Sequence, residues 1–240
     1  MLKILDSLKT NIYADGADFR EISRLNKIDY ISGFTTNPTL MRQSGVLNYK
    51  EFCFDILEEV QDKPVSFEVF ADDLNEILDQ AYEISSWATN VYVKIPVTNT
   101  KGKSTSYIIN ELSNKKVNLN ITAVFTYNQC KDIVESVDRS SNTIISIFAG
   151  RIADTGLDPL NIIDQSVKLT SNIEKIKILW ASPREILNIF HANSLGTDII
   201  TVPYSMINKL SNLGKNLDKF SLETVEMFYR DAILSEFKIS

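Results

Sequence analysis

A closed (β/α)8 barrel, the TIM-barrel architecture, is the fold class this sequence predicts, and three observations carry it. Eight short runs rich in β-branched residues recur along the chain. Amphipathic stretches lie between them, so strand and helix alternate, the pattern of parallel strands joined by crossover helices. No Pro- or Gly-rich linker divides the 240 residues, and eight such units fit the ~250 residues typical of a closed barrel. The alternative is an open, doubly wound sheet, which commonly announces a nucleotide with a Gly-rich turn; no G-x-G-x-x-G or Walker sequence occurs. The chain therefore reads as one domain, 1–240, with a helical C-terminal tail over about 209–240.

Taken in order, the first run, NIYAD, ends in Asp15, and the second, YISGF, leads into TTNPTLM. There Asn37 suits a helix N-cap and Pro38 the first helical position. Tyr49, Phe52, Cys53, Ile56, Leu57 and Val60 follow helical spacing and predict a helix within Asn48 to Gln61. VSFEVF is the third strand, Leu74 to Ser86 the next helix, and NVYVKIPV the fourth strand. NLNITAVF, TIISIFAG, KIKILWAS and DIITVP supply the remaining four. Several are apolar at nearly every position, as expected of strands buried on both faces. PREILNIFHANSLG reads as a helix that carries His191, the only histidine, as a packing or capping residue; no Ser-His-Asp system is on offer. The tail turns amphipathic in SLETVEMFYRDAILSEF and predicts one or two helices packed on the barrel or on a neighbouring subunit.

Composition narrows the function classes. With 44% hydrophobic and 23% charged residues the chain matches an ordinary globular protein. A net charge of -6 and a pI near 5.0 argue against a nucleic-acid partner, which needs clustered Lys and Arg. Cys53 and Cys130 lie far apart and form no C-x-x-C, so neither a disulfide framework nor a metal site is expected. No stretch approaches the ~20 apolar residues of a membrane span, and MLKILDSLKTNIYADGAD is too charged for a signal core. A cytoplasmic chain with no membrane partner is the expectation.

In such a barrel the reactive side chains gather at the C-terminal ends of the strands. That rule selects Asp15, the TTN group with Thr35 and Asn37, Glu68, Lys94, Asn120, Thr122, Ser146, Arg151, Ser182 and Arg184. Lys94 interrupts the apolar run VYVKIPV. Alternation puts Tyr92, Lys94 and Pro96 on one face and Val91, Val93, Ile95 and Val97 on the other. If the even face points inward, burial favours the neutral amine, a nucleophile for carbonyl carbon. A structural lysine paired with Glu68 or Asp15 fits the spacing equally well. Those two carboxylates could divide acid and base roles, or serve only as partners for the lysine. Arg151 and Arg184 each follow a strand and precede a helix, where guanidinium and free helix N–H groups together suit a phosphate. A surface salt bridge is the other reading of each arginine.

The segments IYADGAD, GFTTNPT, VSFEV, VYVKIPVT, LNITAVF, ISIFAGRI, ILWAS and DIITVP resemble the transaldolases, within them the short, single-barrel branch that includes the fructose-6-phosphate aldolases. The resemblance runs from about Asn11 to Pro203. It implies class I chemistry with no metal or organic cofactor. Lys94 matches the lysine that forms a Schiff base with a ketose C2 carbonyl, and Asp15 the acid that moves the C4 hydroxyl proton. Glu68 and Thr122 match the pair that positions a water for proton transfer. Thr35, Asn37, Asn120, Ser146 and Ser182 match polar positions lining the sugar site, and Arg151 and Arg184 the residues that hold the substrate phosphate. Aldolases of this branch usually carry Gln and Tyr where Glu68 and Phe148 stand, whereas transaldolases have Glu and Phe. Phe148 has no proton to release the enamine with, so the resemblance favours transfer of a dihydroxyacetone unit between sugar phosphates over cleavage. Relatives form rings, which implies a homo-oligomer. The chain departs from the pattern at Ala-Asp-Gly-Ala, where relatives often have Asp-Thr or Asp-Ser, at TNTKG, and at Pro-Arg-Glu after Ser182. Those departures leave room for a transaldolase specialised for a modified sugar. The rival from another class is a sugar-phosphate binding protein without catalysis.

Overall fold

In the computed structural model, which describes residues 2–239, eight parallel strands close on themselves in sequence order. They are β1 (Asn11–Asp15), β2 (Ile31–Thr35), β3 (Val65–Glu68), β4 (Val91–Pro96), β5 (Leu119–Val124), β6 (Thr143–Ile147), β7 (Ile176–Trp180) and β8 (Ile199–Pro203). The helices are α1 (Leu2–Leu5), α2 (Phe19–Asn26), α3 (Pro38–Gln43), α4 (Tyr49–Glu59), α5 (Leu74–Ser85), α6 (Ser106–Asn114), α7 (Tyr127–Ser136), α8 (Ala149–Ala153), α9 (Leu160–Thr170), α10 (Leu187–Ser194), α11 (Tyr204–Ile207) and α12 (Leu217–Leu234). All eight runs singled out in the sequence are strands, and the pairing of β1 with β8, Asn11 against Ile199, closes the barrel.

Local chemistry sets where helices begin. The Asn37 side chain accepts from the Leu40 N–H and Pro38 takes the first helical position, so α3 starts where the sequence predicts. Asn48 and Asp73 cap α4 and α5 in the same way, and Thr126 with Gln129 forms a capping box on α7.

Two apolar cores divide the molecule. The larger lies between the outer barrel face and the helices and takes Val91, Val93, Ile95 and Val97 from β4 and its end. Cys53 and Cys130 are buried free thiols in this layer, and burial pushes the Cys53 thiol up to about 12. The smaller core fills the barrel, where Tyr13, Ile144, Leu179, Ala181 and Ile199 pack with Tyr92 and Phe148. Tyr13 needs Gly33 opposite it: a Cβ there would sit 2.6 Å from the Tyr13 ring. The even face of β4 thus points inward, with Tyr92 in this plug and Lys94 one rung above it.

The tail, expected on the barrel or on a neighbouring subunit, forms the long helix α12. Asn216 caps α12, but none of its eighteen residues is buried. Phe220, Leu222, Val225, Phe228, Tyr229 and Ile233 all stand exposed. Among the described residues no helix is long and apolar enough to cross a membrane.

Candidate active site

Above the apolar plug, at the C-terminal end of the strands, lies a cavity lined by Asp15, Thr35, Asn37, Lys94, Thr122, Ser146, Phe148, Arg151 and Ser182, together with Ala181 and Thr201. Nine of the twelve residues selected from the sequence line it directly.

Lys94 is almost wholly buried, and its side chain has two partners. Nζ lies 3.0 Å from Glu68 Oε2 on the adjacent strand and donates to the Thr36 carbonyl at 3.0 Å. The pairing follows from register, since Glu68 stands opposite Lys94 in the β3–β4 ladder. Glu68 thus reaches the site through the lysine and does not line the cavity itself. Asp15 is held from the other side by Thr35, whose hydroxyl donates to Oδ1 at 2.8 Å and also contacts the Thr201 hydroxyl. Burial keeps the Asp15 carboxyl above the ordinary carboxylate range; Lys94 and the Thr35 hydroxyl pull it back, and Glu68 adds to the rise.

Asn120 also lies beneath the cavity wall. Its amide donates to Ser66 Oγ at 2.9 Å and its carbonyl accepts from Ser146 Oγ at 2.6 Å. This buried chain crosses β3, β5 and β6 and fixes Ser146, which does line the cavity. The Thr122 hydroxyl, two residues on, is buried with no hydrogen-bond partner. A bulge aims it: Ile121 pairs with Ile145 but Val124 with Ile147, so one extra residue is accommodated, with Ala123 at a left-handed φ of 58°. Bulges of this kind re-aim side chains beside active sites. Ser182 is the second left-handed residue at this rim, at φ 59°. Gly150 makes its position possible, because a Cβ at 150 would fall 1.6 Å from the Ser182 carbonyl oxygen.

The two arginines part company. The Arg151 guanidinium stacks over the Phe148 ring at 5.3 Å, within the cavity. Arg184 turns into an adjoining cavity, where Nε donates to Asp154 Oδ1 at 3.0 Å and Nη2 meets the second carboxylate oxygen. His191 lies along α10 with its ring 6.4 Å from that of Trp180, in the same adjoining cavity. Among the described residues no three His, Cys, Asp or Glu side chains gather as a metal-ligand set. Thr201, Ala181 and Ser66 were not picked from the sequence. Thr201 and Ser66 each carried a faint signal, a hydroxyl on the same strand face as a selected or interior residue.

A family model described as "Transaldolase/Fructose-6-phosphate aldolase" matches residues 12–239. The chain belongs to this family. Two relatives named "Probable transaldolase" bear this out. One, from Dehalococcoides mccartyi, is 34% identical over 200 residues, covering 83% of this chain and 89% of its own length. Another, from Thermoplasma volcanium, is 34% identical over 202 residues, covering 83% of this chain and 86% of its own. Membership in the transaldolase/fructose-6-phosphate aldolase family makes the chain a member of an enzyme family. More distant solved structures share the architecture alone. Dihydrodipicolinate synthase from Rhodopseudomonas palustris superposes with a TM-score of 0.58 at 15% identity over 94% of this chain and 80% of that one. N-acetylneuraminate lyase from Mycoplasma synoviae does so with 0.53 at 11% identity over 94% and 82%.

Proposed function

We propose that the protein is a transaldolase that moves a dihydroxyacetone unit from a ketose phosphate to an aldose phosphate through a Schiff base on Lys94. The observation that carries this reading is the buried amine of Lys94 in a polar cavity, with Glu68 on one side and Asp15 across from it. Lys94 Nζ gives up a proton, for which Glu68 is the nearest acceptor, and adds to the C2 carbonyl. Loss of water leaves a protonated imine. Asp15 takes the proton of the C4 hydroxyl, the C3–C4 bond breaks, and its electron pair moves toward the imine nitrogen. The aldose phosphate leaves and an enamine stays on Lys94. It attacks the aldehyde carbon of an acceptor, Asp15 returns its proton to the new hydroxyl, and water releases the product.

The unpartnered Thr122 hydroxyl supports a role in handling the water lost and regained at C2. Asn37 spends its carbonyl oxygen on the α3 cap, which leaves its amide for a sugar hydroxyl. Arg151 is the cation presented to an anionic end, and Thr35, Ser146 and Ser182 offer hydroxyls around it. Phe148 supplies no proton to the enamine, which supports transfer over release of free dihydroxyacetone. We also propose that α12 covers a second copy of the chain in a homo-oligomer; its exposed apolar side supports this.

The test is borohydride reduction with fructose 6-phosphate, followed by intact mass and peptide mapping. A three-carbon adduct on Lys94, absent from Lys94→Ala, is the expected result. Binding of a ketose phosphate with no adduct on any donor tried would overturn the reading in favour of a non-catalytic sugar-phosphate binder.

A further inference from the structure

Two tyrosines lie near Asp15, one a rung below it and one a rung above, and each sits on a glycine. Beneath it is Tyr13, accommodated by Gly33 inside the barrel. Above it is Tyr204, the first residue of α11. The β1–β8 ladder places Pro203 opposite Asp15, so Tyr204 comes level with Gly16. A Cβ at position 16 would lie 2.1 Å from Cζ, 2.2 Å from Cε2 and 2.4 Å from Oη of Tyr204. Gly16 is not among the residues with positive φ, so its backbone conformation does not call for glycine. Space does: any side chain there would have to displace the phenol.

The Tyr204 hydroxyl is itself buried and makes no well-formed hydrogen bond. Burial, then the charges of Asp15, Asp18 and Glu21, keep the phenol protonated against a smaller opposing pull from the Asp18 backbone N–H. Around Asp15 the facing charged groups are Lys94 on β4 and Glu68 on β3, and the facing phenol is Tyr204. We propose that Tyr204 is a positioning residue: its ring, seated in the space Gly16 leaves open, backs Asp15 from behind the cavity lining on the β1–β8 side and keeps water from reaching the carboxyl from that side. In that arrangement the Gly16–Tyr204 pair, not a direct hydrogen bond, governs how readily Asp15 holds the proton it exchanges with the substrate. The catalytic consequence rests on Asp15 acting as the acid and base proposed above; the packing claim does not.

The experiment is therefore a titration that needs no turnover. Protein labelled with 13C at the aspartate carboxyl is followed by NMR against pH, and the Asp15 signal is assigned by its loss in Asp15→Asn. Tyr204→Leu should lower the Asp15 midpoint by roughly half a unit or more, because water reaches the carboxylate. Gly16→Ser, which pushes the ring aside from the other partner, should shift it in the same direction and serves if Tyr204→Leu does not fold. Tyr204→Phe retains the ring and should stay at the wild-type midpoint. An unchanged midpoint in Tyr204→Leu or Gly16→Ser overturns the proposal, as does a Tyr204→Phe shift as large as that of Tyr204→Leu. The acid limb of kcat/KM should follow the same order in the variants that turn over. A missing Lys94 adduct in wild type would refute the transfer reading and leave the titration result standing on its own.

Discussion

Gly150→Ala isolates one backbone contact at the rim of the cavity. Gly150 is the second residue of α8 and its φ is not left-handed, so helix propensity alone predicts a gain of up to about 1 kcal/mol for alanine. The neighbouring chain reverses the sign. The new Cβ would lie 1.6 Å from the Ser182 carbonyl oxygen and 2.7 Å from its carbonyl carbon, and real Cβ atoms stay beyond 3.0 Å. The Ser182 peptide must therefore retreat by about 1.4 Å. Both clashing atoms are backbone, and Ser182 is already in a left-handed conformation. Overpacking of this kind costs about 1–3 kcal/mol, so the net loss should be about 0.5–2 kcal/mol. For a chain of this size that lowers Tm by roughly 1–8 °C. Displacing a substrate-facing residue by an ångström can cost about 100-fold in turnover. Thermal denaturation and steady-state kinetics with a phosphorylated ketose read both effects, while the borohydride adduct on Lys94 should persist, since Lys94 stands on another strand. A variant with wild-type Tm and wild-type kcat/KM would refute the argument that Gly150 holds Ser182 in place.

Asp15→Asn should melt higher than wild type at pH 8 while losing turnover. Burial raises the Asp15 carboxyl above its ordinary value of 3.8, so its contribution to stability is present below that value and is lost as pH rises through the folded midpoint. The gain from asparagine should shrink toward pH 3; equal melting at pH 8 would show that Lys94 and Thr35 offset the burial. Phe148→Tyr should raise the yield of free dihydroxyacetone from fructose 6-phosphate, measured by enzymatic assay of the product, and an unchanged product ratio would count against Phe148 as the brake on cleavage. Deleting residues 217–240 should lower the mass measured by light scattering to that of a smaller assembly, with the barrel still folded by circular dichroism; an unchanged assembly would remove α12 from the interface.

The barrel was legible because strand alternation survives where both faces are buried. Tyr92 and Lys94 point inward while Val91, Val93 and Ile95 pack outward, as their order in the sequence requires. Asp15, Lys94 and Thr122 could be selected because each is a polar residue that ends or interrupts an apolar run. Alternation fails at β5, where it would group Val124 with Asn120 and Thr122; the bulge at Ala123 returns Val124 to the outer core. Arg184 could not be separated from Arg151 by sequence, because its partner Asp154 lies thirty residues earlier and meets it only across folded loops. Tyr204 was invisible for a related reason: its neighbour Gly16 belongs to the opposite end of the chain, brought level only by barrel closure. The amphipathic tail was recognised, but hydrophobic periodicity does not say which surface the helix will cover.

Closure also sets a schedule for the chain as it is made. The hydrogen-bonding edge of β1 that receives β8 waits for residues about 190 positions later. At synthesis rates of ~5–20 residues per second that interval is roughly 10–40 s. Through it the growing sheet carries two open edges, the kind of surface on which foreign strands add. A barrel with no edge in its finished state thus keeps two edges open until the final strand, DIITVP, is made.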